Sequence, residues 1–250
     1  MLKPHLSRYW LNPEVEDLDA FADEAGLICD LYVQAQDLHG QGVHLVSTDE
    51  KTGMQATERK HPSKPTRPGL VERREFEYIR HGTRCLMANL EVATGRILAP
   101  SILPTRKEDD FALHLERTID TDAEAAWIFV VDGLNTHQSE ALVRLVAARC
   151  SIDEDLGEKG KHGILQSMQT RRAFLSEASH RIRFVYTPKH CSWLNQVEIW
   201  FSILVRRVLK RGSFGSVEEL EARVLEFIAY FNRVLAKPFK WTYTGRPLAA

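Results

Sequence analysis

Three acidic side chains stand in stretches of sequence that are otherwise apolar. Asp49 ends a strand-like stretch, Asp132 follows the apolar run 127–131, and Glu198 lies in a helix-like stretch rich in large apolar residues. Because an isolated buried carboxylate is strongly disfavoured, each acid needs a cation, hydrogen bonds or a raised pKa. The same segments contain no equally buried lysine or arginine, so the three acids together indicate a divalent metal site.

The ligand types favour a hard metal ion and phosphoryl transfer. Carboxylates without histidine pairs or thiolates favour Mg²⁺ or Mn²⁺ over zinc. Such a cluster can hold two ions about 3.5–4 Å apart, which activate one oxygen and stabilise the leaving one. Hydrolysis of a phosphate ester needs a barrier reduction of about 20 kcal/mol or more. A positioned histidine supplies only about 3–5 kcal/mol of this, so metal ions are needed for the rest.

Each acid taken alone also has a structural explanation. Asp132 could cap a helix or form a turn, and Asp49 could belong to a hairpin turn at Thr52 and Gly53. Glu198 is the hardest of the three to explain in this way, because its helix is so apolar. The functional interpretation therefore depends on the occurrence of all three acids in one chain.

Composition excludes several classes of protein. The 250 residues are 44% hydrophobic and 27% charged, which is typical of a globular domain and unlike a disordered, collagen-like or coiled-coil chain. No apolar run approaches the roughly 18 residues of a membrane span. The first residues lack the apolar stretch of a secretory signal. The four cysteines are too far apart for a CxxC site and indicate a reduced, cytosolic setting.

The charges are segregated along the chain, although the net charge is only −1. Residues 59–84 contain eight basic and three acidic side chains, and residues 181–211 contain seven basic and one acidic. A protein that coats nucleic acid over its whole surface has a strong positive excess, which this chain lacks. Two basic blocks can instead form one positive face that binds a polyanion.

Periodicity and turn residues predict a mixed sheet with helices packed on it. The predicted helices start near Asn12 and Pro13 and then cover 106–119, 137–150, 167–179, 193–210 and 216–235. The first predicted strand runs from residue 43 into Asp49, and a second returns after a turn at Thr52 and Gly53. One or two further strands cover 83–103, joined at Thr94 and Gly95, and the last two cover 126–133 and 181–188. A proline-bearing loop (61–70) and a polar surface excursion (151–166) connect them.

Three blocks of this sequence resemble the signature blocks of a known family. VSTDEKTGMQA, WIFVVDGLNTH and FVYTPKHCSWLNQVEIWFSIL are similar to those of bacterial transposases related to mariner, the insertion-sequence-630 family. The third block is the most specific, and LKPHLSRYWLNP resembles the linker that precedes the catalytic domain in that family. The resemblance covers residues 3 to about 235. It implies a DDE endonuclease core with an α/β, ribonuclease-H-like (retroviral-integrase-type) mixed sheet flanked by helices.

The resemblance also implies an activity and its cofactors. Asp49 would be the first-strand acid, Asp132 the acid of the central strand and Glu198 the helix acid, together holding two Mg²⁺ or Mn²⁺ ions. They would cleave DNA at the terminal inverted repeats of a mobile element and transfer the freed 3′-hydroxyl end into target DNA. The implied partner is DNA, with a homodimer assembled on it, in the bacterial cytoplasm and on the nucleoid when bound.

The resemblance divides the chain into three parts and leaves some departures. The expected division is a linker and amphipathic helix (1–40), a catalytic domain (41–235) and a C-terminal tail (236–250). The family commonly has thirty-odd residues between its second and third acids, whereas 66 positions separate them here. We therefore expect 151–180 to be an insertion lying away from the metals. No helix-turn-helix modules precede Asp49, so specific recognition of the element ends is expected either to be missing or to be supplied by a separate helix-turn-helix polypeptide.

Other polar residues near the three acids could support the chemistry. Asn135, His137 and Asn195 could orient a metal-bound group, and residue 133 is Gly where the family often has Asn. The candidate DNA contacts are Lys189, His190, Trp193, Arg206, Arg207, Lys210, Arg59, Lys60, Lys64 and Arg67. Trp193 could instead pack against its helix, and a basic helix C-terminus is also favoured by the helix dipole. The GEKGKHG stretch lacks phosphate-loop spacing, so no nucleotide cofactor is expected.

Two other functions stay open at this stage. The first is a nuclease of the same fold that cuts DNA without joining it. The second is a truncated transposase that survives as a non-catalytic DNA-binding or dimerising regulator. The intact set of three acids argues against the regulator, and the missing recognition modules argue for it.

Overall fold

A computed structural model describes residues 18–244 of the chain. The strands are β1 (Val43–Arg59), β2 (Tyr78–Glu91), β3 (Ile97–Leu103), β4 (Ala126–Val131) and β5 (Ile182–Tyr186). The helices are α1 (Leu18–Gly40), α2 (Glu108–Ile119), α3 (Glu140–Arg149), α4 (Met168–Leu175), α5 (Val197–Leu204) and α6 (Val217–Tyr230). The predicted helix start at Asn12 and Pro13, the linker-like segment and the last six residues lie outside the described range.

The five strands form one mixed sheet in the order β3-β2-β1-β4-β5. β1 pairs antiparallel with β2, which pairs antiparallel with β3, and β1 pairs parallel with β4, which pairs parallel with β5. The two parallel connections run through helices, as parallel strands require. The predicted mixed sheet flanked by helices is confirmed.

Helices cover both faces of the sheet. On one face, α2, α3 and α4 pack on buried aromatic residues of β4 and β5, such as Phe129 and Phe184. On the other face, α5 and α6 pack on β1 and β2 through residues that include Trp200 and Leu86, and α1 packs on β1 and β4. The interior strand β4 is buried on both sides because it lies between these two layers, which explains its uninterrupted apolar run.

The predicted hairpin turn at Thr52 and Gly53 is wrong. β1 continues through both residues to Arg59, and its register with β2 shifts between Lys51 and Met54. Gly53 has φ +67°, a left-handed conformation that glycine adopts without strain. The glycine therefore forms a β-bulge rather than a turn, and it leaves Asp49 inside a long strand.

The region 151–180 is more deeply packed than its polar sequence predicts. Its one helix among the described elements, α4, buries Phe174 and Leu175 against the sheet. Leu165, from the segment before it, is fully buried in the same cluster. The region therefore forms part of the core layer on the α2 face.

The last two helices continue beyond their α-helical parts. α5 passes into a π-helical turn that ends at Leu209, and α6 into one that ends at Leu235. These ends agree with the predicted helices 193–210 and 216–235, although α5 begins four residues later than expected. No helix within residues 18–244 is both long and apolar enough to cross a bilayer.

His114 makes the fold sensitive to acid. This α2 side chain is 1% exposed, and its Nδ1 atom lies 2.9 Å from the Ser101 hydroxyl. Burial, with a smaller effect of Arg117, lowers the pKa of His114 to about 3. An unfolded histidine titrates near pH ~6.5, so between these values the unfolded chain binds a proton that the folded chain excludes, and acid favours unfolding.

We expect His114→Asn, which keeps a polar atom near Ser101, to reduce this acid sensitivity. Between pH ~6.5 and ~4, the free energy of unfolding of the wild type should decrease as the pH falls. In the variant the slope of this decrease should be smaller by about 1.4 kcal/mol per pH unit, which is the contribution of one proton. Urea unfolding at a series of pH values measures the slope. His162→Asn, at an exposed loop position, is the control, and equal slopes in wild type and His114→Asn would contradict the prediction.

Candidate active site

The parallel pairing of β1 with β4 places two of the predicted acids side by side. Ser47 pairs with Val130 in this register, so continuing it by two residues sets Asp49 beside Asp132. Neighbouring strands lie about 4.8 Å apart, and the negative charge of Asp132 is close enough to raise the pKa of Asp49. Asp49 and Asp132, 83 positions apart in sequence, thus lie side by side at the ends of the paired segments of β1 and β4.

Asp49 is a buried acid with weak compensation for its charge. Asp49 is 7% exposed. Its carboxylate accepts a hydrogen bond of 2.7 Å from the Glu50 backbone amide and lies 3.5 Å from the side-chain amide nitrogen of Asn195. Burial raises the pKa of Asp49 to about 7, and the negative charges of Asp132 and Glu50 add to the effect. Within the described chain, no lysine or arginine forms an ion pair with Asp49.

Asp132 and Glu50 share a buried histidine. His137 is fully buried, with Nδ1 2.7 Å from Asp132 Oδ1 and Nε2 3.4 Å from Glu50 Oε2. Burial disfavours the charged imidazole, but these two carboxylates outweigh it and raise the pKa of His137. Conversely, burial opposes the charge of Asp132, while His137 and the Leu134 amide hold the pKa of Asp132 below its usual value. His137 is therefore a cation that orients Asp132.

The start of α5 is fastened to β1 beside Asp49. The Asn195 side chain donates 2.8 Å to the Thr48 carbonyl oxygen and accepts from the Ser47 hydroxyl. Ser47 in turn accepts 2.8 Å from the Val197 amide, at the first residue of α5. Glu198 follows directly in that first turn, so these bonds hold the helix that carries the third acid against the strand that carries the first.

The carboxylates form a loose set that fits divalent cations. The ligand atoms of Asp49, Asp132 and Glu198 do not all lie within 4.8 Å of one another, and carboxylates that flank two ions need no mutual contact. Glu50 Oε1 is buried with no hydrogen-bond partner, and Asp49 has no basic partner. Such oxygen-rich, negatively charged surroundings match the preference of Mg²⁺ and Mn²⁺.

Several site predictions need correction. Glu198 is half-buried and the Asp132 side chain is 34% exposed, so only Asp49 is a deeply buried acid of the kind predicted for all three. No lysine or arginine pairs with these acids in the described residues, but a buried histidine, His137, pairs with Asp132. The predicted helix 193–210 included Asn195, but Asn195 lies before α5. Asn135 is exposed and lines a different cavity with Lys159, away from Asp132.

A cleft of about 530 Å³ opens beside Asp132 and carries positive charge. Lys189 and His190, both exposed at the turn after β5, line it together with Arg172 of α4. We expected the 151–180 region to lie away from the acids, but Arg172 belongs to that region and shares this cleft. Three basic side chains next to a candidate catalytic acid suit a phosphate backbone.

The other candidate DNA contacts lie at separate places. Trp193 is 49% exposed, which is more than packing at the start of α5 would allow, and contacts Tyr243 edge-on. Arg206 and Arg207 line a different cavity with Lys237 and Phe239, and Lys210 is exposed just after them. None of these three basic residues lines the cleft beside Asp132.

The basic residues of the proline-bearing loop lie on an extension of β1 and β2. Backbone pairs join Lys64 to Arg73 and Arg67 to Leu70, so the predicted loop is an irregular antiparallel arm. Lys60 forms a 2.7 Å ion pair with Glu77, and Arg59 lies over the Tyr78 ring. Lys64 and Arg67 are exposed on this arm.

Sequence reasoning missed three residues of the site. Glu50 directly follows Asp49 and resembled part of a turn; no local signal showed that the strand continues and buries it. Arg172 lies in the region interpreted as an insertion. Arg106, just before α2, is exposed but close enough to lower the pKa of Asp132, and nothing in its neighbourhood distinguishes it.

Comparison with known families now bears on this arrangement. A family model described as a DDE superfamily endonuclease matches residues 44–221, well over half of the chain and all three acids. The chain belongs to the DDE superfamily of endonucleases. Curated proteins offer no sequence match to this DDE endonuclease.

Solved structures of Mos1 mariner transposase share the fold of this DDE endonuclease. The Mos1 paired-end complex with Mn has a TM-score of 0.55 at 13% identity, over 90% of this chain and 59% of that one. A pre-cleavage Mos1 transpososome has a TM-score of 0.52 at 13% sequence identity, over 92% of this chain and 60% of that one. The Mos1 catalytic domain has a TM-score of 0.50 at 11% sequence identity, over 88% of this chain and 85% of that one.

These matches confirm the predicted ribonuclease-H-like fold. This chain spans about six tenths of the length of the Mos1 chains in the two complexes and most of the separate Mos1 catalytic domain. The region of likeness therefore corresponds to the sheet and helices that carry Asp49, Asp132 and Glu198.

Proposed function

We propose that this DDE endonuclease is the catalytic domain of a transposase of the insertion-sequence-630 family, which cuts DNA at the ends of a mobile element and joins the freed ends to target DNA. The observation that carries the proposal is the meeting of Asp49 with Asp132 on adjacent parallel strands, with the start of α5 bonded to the same strand. This arrangement supports a shared site for Asp49, Asp132 and Glu198, beside the basic cleft that Asp132 lines.

Asp49, Asp132 and Glu198 would hold two Mg²⁺ or Mn²⁺ ions. When bound, such ions neutralise phosphate charge and activate an attacking oxygen. Two observations support the proposal: the buried Asp49 carboxylate has no basic partner, and Mos1 structures of this fold contain Mn. The Glu198 side chain forms no hydrogen bond or ion pair in the described structure, so it is free to turn toward a cation.

The residues of the chain itself orient the acids and bind the substrate. His137 fixes the Asp132 carboxylate through Oδ1 and leaves Oδ2 available. Asn195 holds α5, and with it Glu198, against β1. Lys189, His190 and Arg172 bind phosphates that lie in the cleft, and the exposed Trp193 ring, which does not line the cleft, offers a stacking surface for a base.

The partners and the setting are proposals of the same kind. The partner is DNA, namely the terminal inverted repeats and the target. We also propose that the protein assembles as a homodimer on DNA; Mos1 structures of the same fold are named paired-end complex and transpososome. We further propose that the protein acts in the bacterial cytoplasm, on the nucleoid when bound.

The decisive experiment measures cutting and joining separately. Supercoiled plasmid carrying the DNA that flanks the gene is incubated with the full chain and Mg²⁺ or Mn²⁺, and nicked product is quantified. Pre-cleaved ends with a free 3′-hydroxyl are then tested for joining to a second plasmid. We expect both activities. Cutting without joining would indicate a nuclease, and DNA binding with neither activity would indicate a regulator.

Lys189→Ala should weaken DNA binding in a salt-dependent way. Removing one phosphate contact is expected to reduce the slope of log K against log salt by about 0.9, with similar effects on all DNA sequences. Fluorescence anisotropy of a short labelled duplex over a salt series measures this slope. Lys161→Ala is the matched control, because Lys161 is exposed and pairs only with Glu158 at 2.6 Å. Identical slopes in the two variants would contradict the assignment of Lys189.

A further inference from the structure

A second group of potential metal ligands lies away from the acids. His39 lies in the last turn of α1, His44 near the start of β1, and Glu91 at the end of β2. Glu91 Oε1 is 2.6 Å from His44 Nδ1 and 3.6 Å from His39 Nδ1. Across residues 18–244, this is the one group of three histidine, cysteine or acidic residues whose ligand atoms all lie within 4.8 Å of one another.

Glu91 is buried without a lysine or arginine partner. It is 4% exposed, and its contacts are the two imidazoles and the hydroxyl of Thr94, which donates 2.5 Å to Oε2. A buried carboxylate needs a compensating positive charge. The side chains that face Glu91 are thus metal-ligand types rather than permanent cations.

The surroundings already orient these three side chains as they would be oriented around a metal. His44 Nε2 lies 3.3 Å from Asp122 Oδ2, a carboxylate that fixes the ring so that Nδ1 faces Glu91. The His44 ring also stacks on buried Trp127 with a centroid separation of 4.2 Å. Thr94 holds the second oxygen of Glu91 in place. Histidines that bind metals typically have such a carboxylate on the other ring nitrogen.

We propose that His39, His44 and Glu91 form a zinc site with a water molecule in the fourth position. Two imidazoles and one carboxylate form a ligand set that zinc accepts. Tetrahedral ligands at about 2.1 Å from zinc lie about 3.4 Å apart. The 3.6 Å between His39 Nδ1 and Glu91 Oε1 already matches this spacing. His44 Nδ1 lies 2.6 Å from Glu91 Oε1, so the two atoms must separate by about 0.8 Å as zinc replaces the proton between them.

The site is distinct from the proposed active site in place and in chemistry. His44 precedes Asp49 by five residues along one strand, or about 16 Å. Its imidazoles select zinc, whereas the acids select Mg²⁺ or Mn²⁺. Bound zinc would join the end of α1 to β1 and β2, and it would therefore stabilise the docking of α1 on the sheet.

Zinc titration of the full chain tests the proposal. The Asp49→Asn, Asp132→Asn double variant is used as the parent, so that metal binding by the active-site acids is removed. We expect saturable zinc binding by calorimetry, and Co²⁺ should give the absorption of a tetrahedral nitrogen and oxygen site. Hydrogen exchange in the last turn of α1 should slow when zinc is added.

Substitutions in this parent locate the site. His39→Ala, at a side chain that is 40% exposed, should weaken zinc binding at least about tenfold, and Asp122→Asn about tenfold. His81→Ala is the matched control, since His81 also pairs with a carboxylate, Glu58, at 2.8 Å but has no third ligand. The proposal would be overturned if zinc binding were not saturable or were unchanged by His39→Ala. It would also be overturned if binding were lost only with Cys150→Ser, because Cys150 is a free, half-buried cysteine that shares a cavity with His180 and could bind zinc elsewhere.

Discussion

Asp132→Asn is expected to abolish metal-dependent DNA cutting while leaving the protein folded. The amide keeps the shape of the side chain but removes the negative charge that binds a cation. Loss of this contribution, several kcal/mol of charge stabilisation, corresponds to at least about a thousandfold lower cutting rate. Plasmid nicking with saturating Mg²⁺ measures the rate, and near-identical circular dichroism spectra establish that the variant folds.

Asp49→Asn should lose activity to the same extent and differ in stability. Asp49 is buried without a basic partner, so neutralising it removes the cost of desolvating a charge. In the absence of metal, we expect Asp49→Asn to unfold at an equal or higher urea concentration than the wild type. Asp109→Asn, at an exposed aspartate in the first turn of α2, is the control. Retained activity in either active-site variant would exclude the proposed metal site.

His137→Leu is expected to cause the largest loss of stability among these substitutions. It leaves Asp132 and Glu50 without the cation between them, and removal of one partner from a buried ion pair typically costs about 3–5 kcal/mol. Leucine preserves apolar contact with Phe111, whose ring lies 4.3 Å from that of His137. Urea unfolding at neutral pH measures the change in the free energy of unfolding.

A second substitution tests whether charge is the cause. Glu50→Gln in the His137→Leu background should recover part of the lost stability, because the side chain that is left without its partner is then neutral. In the wild-type background, Glu50→Gln should destabilise the protein, since it removes one side of the pair. If both backgrounds respond to Glu50→Gln alike, the two residues do not interact, and the role assigned to His137 is wrong.

We propose that His137 also contributes to activity by positioning Asp132, which it contacts at 2.7 Å. In His137→Gln, the amide can still hydrogen-bond to one carboxylate, so some orientation of Asp132 is retained. The proposed function therefore links the stability of this buried pair with the geometry of the acid beside it.

Local sequence patterns were sufficient to predict most of the helices and strands. The apolar run before Asp132 and the alternating residues before Asp49 have the periods that buried strands impose. The acids in these segments stood out because they interrupt that pattern. The hairpin at Thr52 and Gly53 was the main error, because a glycine with positive φ serves a turn and a bulge equally well.

Partners distant in sequence could not be predicted in the same way. Nothing local indicates that Glu50 contacts His137, or that Arg172 faces the cleft of Asp132. The predicted turn at Thr52 and Gly53 would have ended the strand just after Glu50, whereas the continuing strand turns Asp49 and Glu50 to opposite faces and buries both.

The sequence by itself determined most of the elements, with candidate acids at the ends of two apolar strands and within one apolar helix, because hydrophobic periodicity is a property of neighbouring residues. Only the tertiary structure decided which side chains meet. The register of β1 with β4 brings Asp49 beside Asp132, and the return of β2 places Glu91 against His44. Strand pairing over long sequence separations depends on the packing of the whole sheet, which no local pattern contains.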